Sequence, residues 1–316
     1  MNSFSLAFSV VCPLFLMMAL GYFLRRIGLF SEDFLRQLNK LCFGVFLPTI
    51  LFINVYDSDF SVSFQPRLVI FAILCVVAMF AVLMLLVPRF EKNNLRRGVM
   101  IQGIFRSNYI LFGLPMAASL FGASKTGTTA VLIAFVIPLF NLLSVVALEF
   151  FRGGKADIKR ILIGVITNPL ILGALAAFAF LLSGIRLPHL LEQTVRDISK
   201  IATPLALIIL GGSFTFSRLR PNRKHIVTAV SSRLLLIPLC FVTLSVALGF
   251  RGVELGALLA MFASPTAVSS FTMAQQMQAD DELAGQIVVV GSLCAVITIF
   301  FWISLLSYFG LLLPIK

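Results

Sequence analysis

The 316 residues are 59% hydrophobic and only 12% charged, with a mean hydropathy of +1.04. An ordinary soluble domain carries about 25% charged residues, so the composition excludes one. The net charge of +12 does not point to nucleic acid, because the basic residues fall mostly in short loops between apolar runs, where they set topology.

Apolar segments able to cross a bilayer recur near 4–24, 35–56, 68–87, 98–120, 127–151, 161–182, 201–217, 226–248, 253–277 and 283–309. Continuous runs of this kind predict helices; a membrane β-barrel would alternate over segments of about 10 residues. The expected fold class is therefore an all-α polytopic membrane protein with ten transmembrane helices. The first segment reads as a span and not as a signal peptide: it lacks a basic start, and Arg25 and Arg26 follow it. The seventh is short and begins within the amphipathic stretch "LPHLLEQTVRDISK". Cys12, Cys42, Cys75, Cys240 and Cys294 all sit in apolar segments without a CxxC pair, which reads as packing and not as disulfide or metal chemistry.

With the N-terminus outside, the inner loops hold 16 basic residues, from Arg25, Arg26, Arg36 and Lys40 to Arg218, Arg220, Arg223 and Lys224. The outer side holds 7: Arg67, Lys125, Arg186, Arg196, Lys200, Arg251 and Lys316. This bias predicts both termini outside an inner (cytoplasmic) membrane.

A repeat is visible at an offset of 156 residues. It relates Pro13 to Pro169 and Pro48 to Pro204, and carries Asn108 onto Ser264 and Arg106 onto Phe262. Two halves of five spans, an odd number, must lie in the membrane with opposite orientation, as in secondary transporters. The expected division is a first repeat at 1–151, a short cytoplasmic linker at 152–160 and an inverted second repeat at 161–316.

Spans four and nine carry "FRSNYILFGLP" and "FASPTAVSSFT", with polar, small and proline residues near their middles. Ser264 precedes Pro265, a position that disfavours helix. Backbone groups freed at that depth survive only inside protein or beside a watery cavity. Two such breaks, crossing, bring half-helix N-termini together as a seat for an anion. Ser107, Asn108, Ser264 and Thr266 add donors there.

Arg106 has two readings. A mid-span charge costs about 2.5–3.5 kcal/mol, so it serves an anionic substrate, or it pairs with carbonyls of the opposite broken helix or snorkels inward. Arg233 in span eight poses the same choice. Asn54, Asn141 and Asn168 fit either ligand contacts or helix-to-helix hydrogen bonds. Tyr109 suits stacking on a ring, capping a cavity, or packing. Pro48, Pro115, Pro204 and Pro265 are candidate breaks or hinges.

No carboxylate lies at mid-span, unlike most proton pumps and antiporters. His189 and His225 fall in loops, so neither a zinc triad nor a Ser/His pair is visible, and no metal, cofactor or catalytic residue is expected. Asp57 and Asp59 read as a solvated outer turn.

"LGYFLRRIGLFSEDFLRQLNKLCFGVFLPTILF", "FRSNYILFGLP", "TNPLILGAL", "ATPLALIILGGSF" and "MFASPTAVSSFTMAQQM" together resemble the auxin efflux carrier family, which includes plant PIN-formed auxin transporters and bacterial malonate-type transporters. The resemblance spans the whole chain. It implies the architecture of sodium–proton antiporters and bile-acid symporters, with a scaffold of helices 1, 2, 6 and 7 supporting a homodimer. Helices 3–5 and 8–10 would form an elevator-like transport domain in which broken helices 4 and 9 cross at Ser107–Asn108 and Ser264–Pro265. The chain departs from many plant members in joining spans five and six by only "RGGKADIKR".

The function expected is a secondary transporter for small organic anions, mono- or dicarboxylates, auxin-like or malonate-like, exporting by alternating access. Its candidate substrate residues are Arg106, Ser107, Asn108, Tyr109, Ser264, Pro265, Thr266, Asn54 and Asn141. The alternative is a sodium- or proton-coupled importer of the same fold. An intramembrane enzyme would need a nucleophile with a base, or a metal triad.

Overall fold

The structure, a computed structural model, describes residues 3–57, 64–122, 125–152 and 158–312. Asp59, Lys316 and most of the expected linker at 152–160 lie outside the described residues. Those described form helices and no strand, the sole bridge pairing Ser107 with Thr266.

In chain order the helices are α1 (Ser3–Arg26), α2 (Glu32–Tyr56), α3 (Pro66–Phe90), α4 (Asn94–Phe105), α5 (Tyr109–Phe121) and α6 (Gly127–Arg152). Then come α7 (Ile158–Ile166), α8 (Pro169–Ser183), α9 (His189–Ser213), α10 (Arg223–Ala247), α11 (Gly252–Ala263), α12 (Ser269–Gln276) and α13 (Asp281–Tyr308). Among the described residues, α2, α3, α6, α10 and α13 are long and apolar enough to cross a membrane, and α5, α8 and α11 are shorter apolar helices. The seventh apolar segment does begin early, at His189.

Prolines act here in three ways. Pro115 and Pro204 lie inside helices that run on past them, and only Pro265 of the four candidate breaks sits in an interruption. A proline removes one helix hydrogen bond, which packing neighbours and polar side chains can offset at membrane depth. Pro48 and Pro238 each follow a π-helical turn, Cys42–Phe46 and Ser232–Leu236, whose i→i+5 bonding inserts one extra residue just before the ring. Pro238 has no N–H for the Leu234 carbonyl four residues back, and the Trp302 indole donates to it instead at 3.0 Å. At Pro169 the chain does stop: α7 ends at Ile166, and the Asn168 side chain accepts from Leu170 N to cap α8.

The helices pack in two sets that touch each other, with α1 lying against α13 and α2 against α6. In one, α1 lies along α9, and α2 packs on α8 and α9. In the other, α3, α4 and α6 pack together, α5 and α10 pack on α11, and α13 packs on α10 and α12. Arg196 ties the first group at one end by binding the carboxylates of Asp57 and Glu192, so Asp57 is ion-paired as well as exposed.

The α1–α9 contact is backbone against backbone. A Cβ added at Gly21 would lie 1.9 Å from the Ile208 carbonyl oxygen, and one added at Gly211 would lie 1.9 Å from that of Met18. Gly211→Ala therefore forces the two helices apart. Overpacking of this kind costs about 1–3 kcal/mol, and a lower melting temperature of the purified protein in a thermal-shift assay is the expected outcome.

Candidate substrate site at the helix crossing

Span four is interrupted between α4 and α5, where Arg106 is extended and Asn108 stands outside helical geometry. Span nine is interrupted between α11 and α12, with Ser264 extended before Pro265. The two loose segments meet as a minimal antiparallel bridge: Ser107 pairs with Thr266, and Asn108 N donates to Pro265 O at 2.8 Å. The residues that cap the C-terminal ends of α4 and α11, Arg106 and Ser264, stand 158 apart, so the 156-residue offset is two short at the crossing. Connections of unequal length account for part of this: Glu91–Asn93 precedes α4, whereas the longer Leu248–Arg251 precedes α11.

The four half-helix ends divide by sign. The C-termini of α4 and α11, where carbonyls lack partners and carry partial negative charge, converge on Arg233. Its guanidinium, 1% exposed, donates to Met261 O (2.7 Å), Ser264 O (2.8 Å), Phe105 O (3.1 Å) and Ile104 O (3.4 Å). Met261 O is the carbonyl that Pro265 cannot serve. The Thr266 hydroxyl donates to Gly103 O at 2.6 Å, and that of Ser264 to Ala260 O at 2.5 Å.

The N-termini of α5 and α12 face the other way, and at α12 Ser270 N and Phe271 N turn back onto Ala267 O and Val268 O. Beside them lies Arg106, 3% exposed, donating to Asn141 Oδ1 (2.7 Å), Ser269 Oγ (2.7 Å) and the Met273 sulfur. A cavity of about 70 Å³ opens there, lined by Arg106–Leu111 and Ala267–Ser269 from the crossing. Leu47, Ile50, Leu51 and Asn54 of α2, Ile137, Phe140 and Asn141 of α6, Leu170 of α8, and Thr203 and Ala206 of α9 complete the wall. The lining holds one guanidinium and no carboxylate. Ser107 Oγ and Asn108 Nδ2 are buried without a hydrogen-bond partner among the described residues.

The sequence-derived candidates separate accordingly. Arg106, Ser107, Asn108, Tyr109, Asn54 and Asn141 line the cavity. Tyr109 contributes its ring, its hydroxyl being turned away to donate to Ala257 O at 3.1 Å. Ser264, Pro265 and Thr266 belong to the crossing but not to the cavity wall, since both hydroxyls are used on helix carbonyls. Ser269, which both lines the cavity and holds Arg106, escaped the sequence reading, although it stands first in the second half-helix. Arg233 carried a clearer signal as the lone charge between Lys224 and Arg251.

A larger cavity of about 680 Å³ lies elsewhere, between the end of α1, the start of α2, the end of α9 and the start of α13. Arg25, Arg26, Arg36 and Arg218 line it together with Glu32, Asp281 and Glu282. Arg25 and Arg36 pair with Glu32, and Arg218 with Glu282, so most of its charge is already matched. Of these two cavities, only the smaller holds positive charge without a carboxylate.

Comparison with known proteins agrees in kind. A family model described as "Membrane transport protein" matches residues 6–303. An uncharacterized transporter of Methanothermobacter thermautotrophicus is 23% identical over 304 residues, covering 92% of this chain and 96% of its own. An uncharacterized transporter of Methanocaldococcus jannaschii is 22% identical, covering 93% and 96%. The uncharacterized transporter YfdV of Escherichia coli K12 is 23% identical, covering 92% and 95%.

Thr266→Val keeps the shape of the side chain and removes the hydrogen bond to Gly103 O. A buried acceptor left unsatisfied costs about 1–3 kcal/mol, and the variant is expected to melt earlier than the parent in thermal-shift measurements.

Proposed function

Since the chain belongs to the membrane transport protein family of the auxin efflux carrier type and is a multi-pass membrane protein, we propose that it is a secondary transporter for small organic anions, mono- or dicarboxylates of auxin-like or malonate-like kind. The observation that carries this reading is the cavity at the crossing. Two helix N-termini, the Arg106 guanidinium and the unpartnered donors of Ser107 and Asn108 meet there with no carboxylate to balance them. Such a place favours a carboxylate ligand. The apolar wall from α2, α6 and α8 suits a short carbon skeleton.

The transport cycle in this reading is alternating access. The ten spans are α1, α2, α3, α4–α5, α6, α7–α8, α9, α10, α11–α12 and α13, arranged as two inverted repeats. The group containing α1, α2, α8 and α9 acts as scaffold, and the group containing the crossing carries the anion past it. The cavity wall draws residues from both groups, which supports placing the substrate where they slide. We assign the chain to the inner membrane with both termini outside, as a homodimer through the scaffold. Export needs no coupling ion: an anion leaving a negative-inside cell gains about 2.3 kcal/mol per charge per 100 mV.

Two measurements test this. Asn108→Ala keeps the main-chain bond to Pro265 O, so stability should stay near that of the parent. A lost hydrogen bond to a charged ligand, about 1.5–3 kcal/mol, lowers apparent affinity about 10- to 150-fold. Export of malonate or indole-3-acetate from proteoliposomes should rise with an imposed negative-inside potential; export indifferent to voltage would falsify the uncoupled mechanism.

A further inference from the structure

The cradle around Arg233 is made wholly of main-chain oxygens. Ile104 O and Phe105 O come from the end of α4, and Met261 O and Ser264 O from the end of α11. Interrupting two helices at one depth creates this concentration of orphan carbonyls, and two negative helix ends deepen it. Unwound carbonyls and half-helix C-terminal ends are suited to holding a small monovalent cation. Here a guanidinium already fills the place, using its Nε and both Nη atoms.

The local fold delivers it there. Arg233 lies in the π turn Ser232–Leu236 of α10, and Trp302 of α13 holds the Leu234 carbonyl of the same turn. The side chain is buried, with main-chain carbonyls as its acceptors. Arg106, by contrast, is held by Asn141, Ser269 and Met273 on the N-terminal side of the crossing.

We propose that Arg233 is a resident, covalently tethered cation occupying the seat that a mobile coupling cation would otherwise take, so that the crossing is complete without sodium or potassium. The charge travels with the crossing and is never released. Removing it leaves a vacant, cation-selective seat. This deepens the transport reading in its consequence for coupling, but the seat itself is testable on the purified protein without any substrate.

Thermal-shift curves of the parent, Arg233→Ala, Arg233→Lys and Arg233→Gln are compared in choline, sodium, potassium and guanidinium chloride at equal, millimolar concentration. The parent is expected to melt at one temperature in all four salts. Arg233→Ala should melt several degrees lower in choline and recover part of that loss in guanidinium, sodium or potassium. Arg233→Lys should melt above Arg233→Gln, although glutamine keeps much of the volume. A parent stabilised by sodium or potassium over choline overturns the proposal, and so does equal melting of the lysine and glutamine variants. If Arg233→Ala cannot be purified folded, these two comparisons decide the matter. A folded Arg233→Ala indifferent to every cation also overturns it. Failure of anion transport in proteoliposomes, with these salt responses intact, would count against the transport reading alone.

Discussion

A broken helix inside an apolar interior exposes main-chain groups that neither lipid nor hydrocarbon side chains can satisfy. This chain breaks two helices at one depth and must account for both sets of ends. Gly103 O takes the Thr266 hydroxyl, Ala260 O the Ser264 hydroxyl, and four further carbonyls the Arg233 guanidinium. Asn108 N and Pro265 O satisfy each other across the crossing. Once the carbonyl ends are matched, the amide ends and Arg106 are left to define the character of the cavity. The division of sign across a few ångströms follows from helix polarity alone.

The same accounting explains why two buried arginines, each a mid-span charge, play opposite parts. Arg233 has carbonyls from two helix ends as partners, and its charge is absorbed by them. Arg106 is held by an amide oxygen, a hydroxyl and a sulfur, none of which carries a full negative charge. Its positive potential is therefore still available to a ligand. Carbonyl pairing, which the sequence left open for Arg106, is the interaction that Arg233 makes.

Much of this was legible in the sequence. Apolar length and loop charge marked a polytopic helical protein, and the Ser264–Pro265 step marked the break in span nine. The break at Arg106–Asn108, with no proline in it, was legible only through its polar cluster and its counterpart downstream. What sequence spacing could not supply was register. A constant offset assumes equal connections, and with the unequal ones before α4 and α11 the residue at the end of α11 that matches Arg106 is Ser264 and not Phe262. Nor could spacing tell which hydroxyls point at ligand: Ser264 and Thr266 look like donors to a cavity until the orphan carbonyls beside them are counted. Pro48, Pro115 and Pro204 stand inside helices that continue past them, so a proline by itself does not mark an interruption here.

The glycine contact between α1 and α9 has a consequence for leakage. With Gly21 and Gly211 seated against opposing main-chain carbonyls, no acyl chain or file of water fits between the two backbones at those positions. The seam is sealed by backbone alone, independent of side-chain rotamers that thermal motion could open.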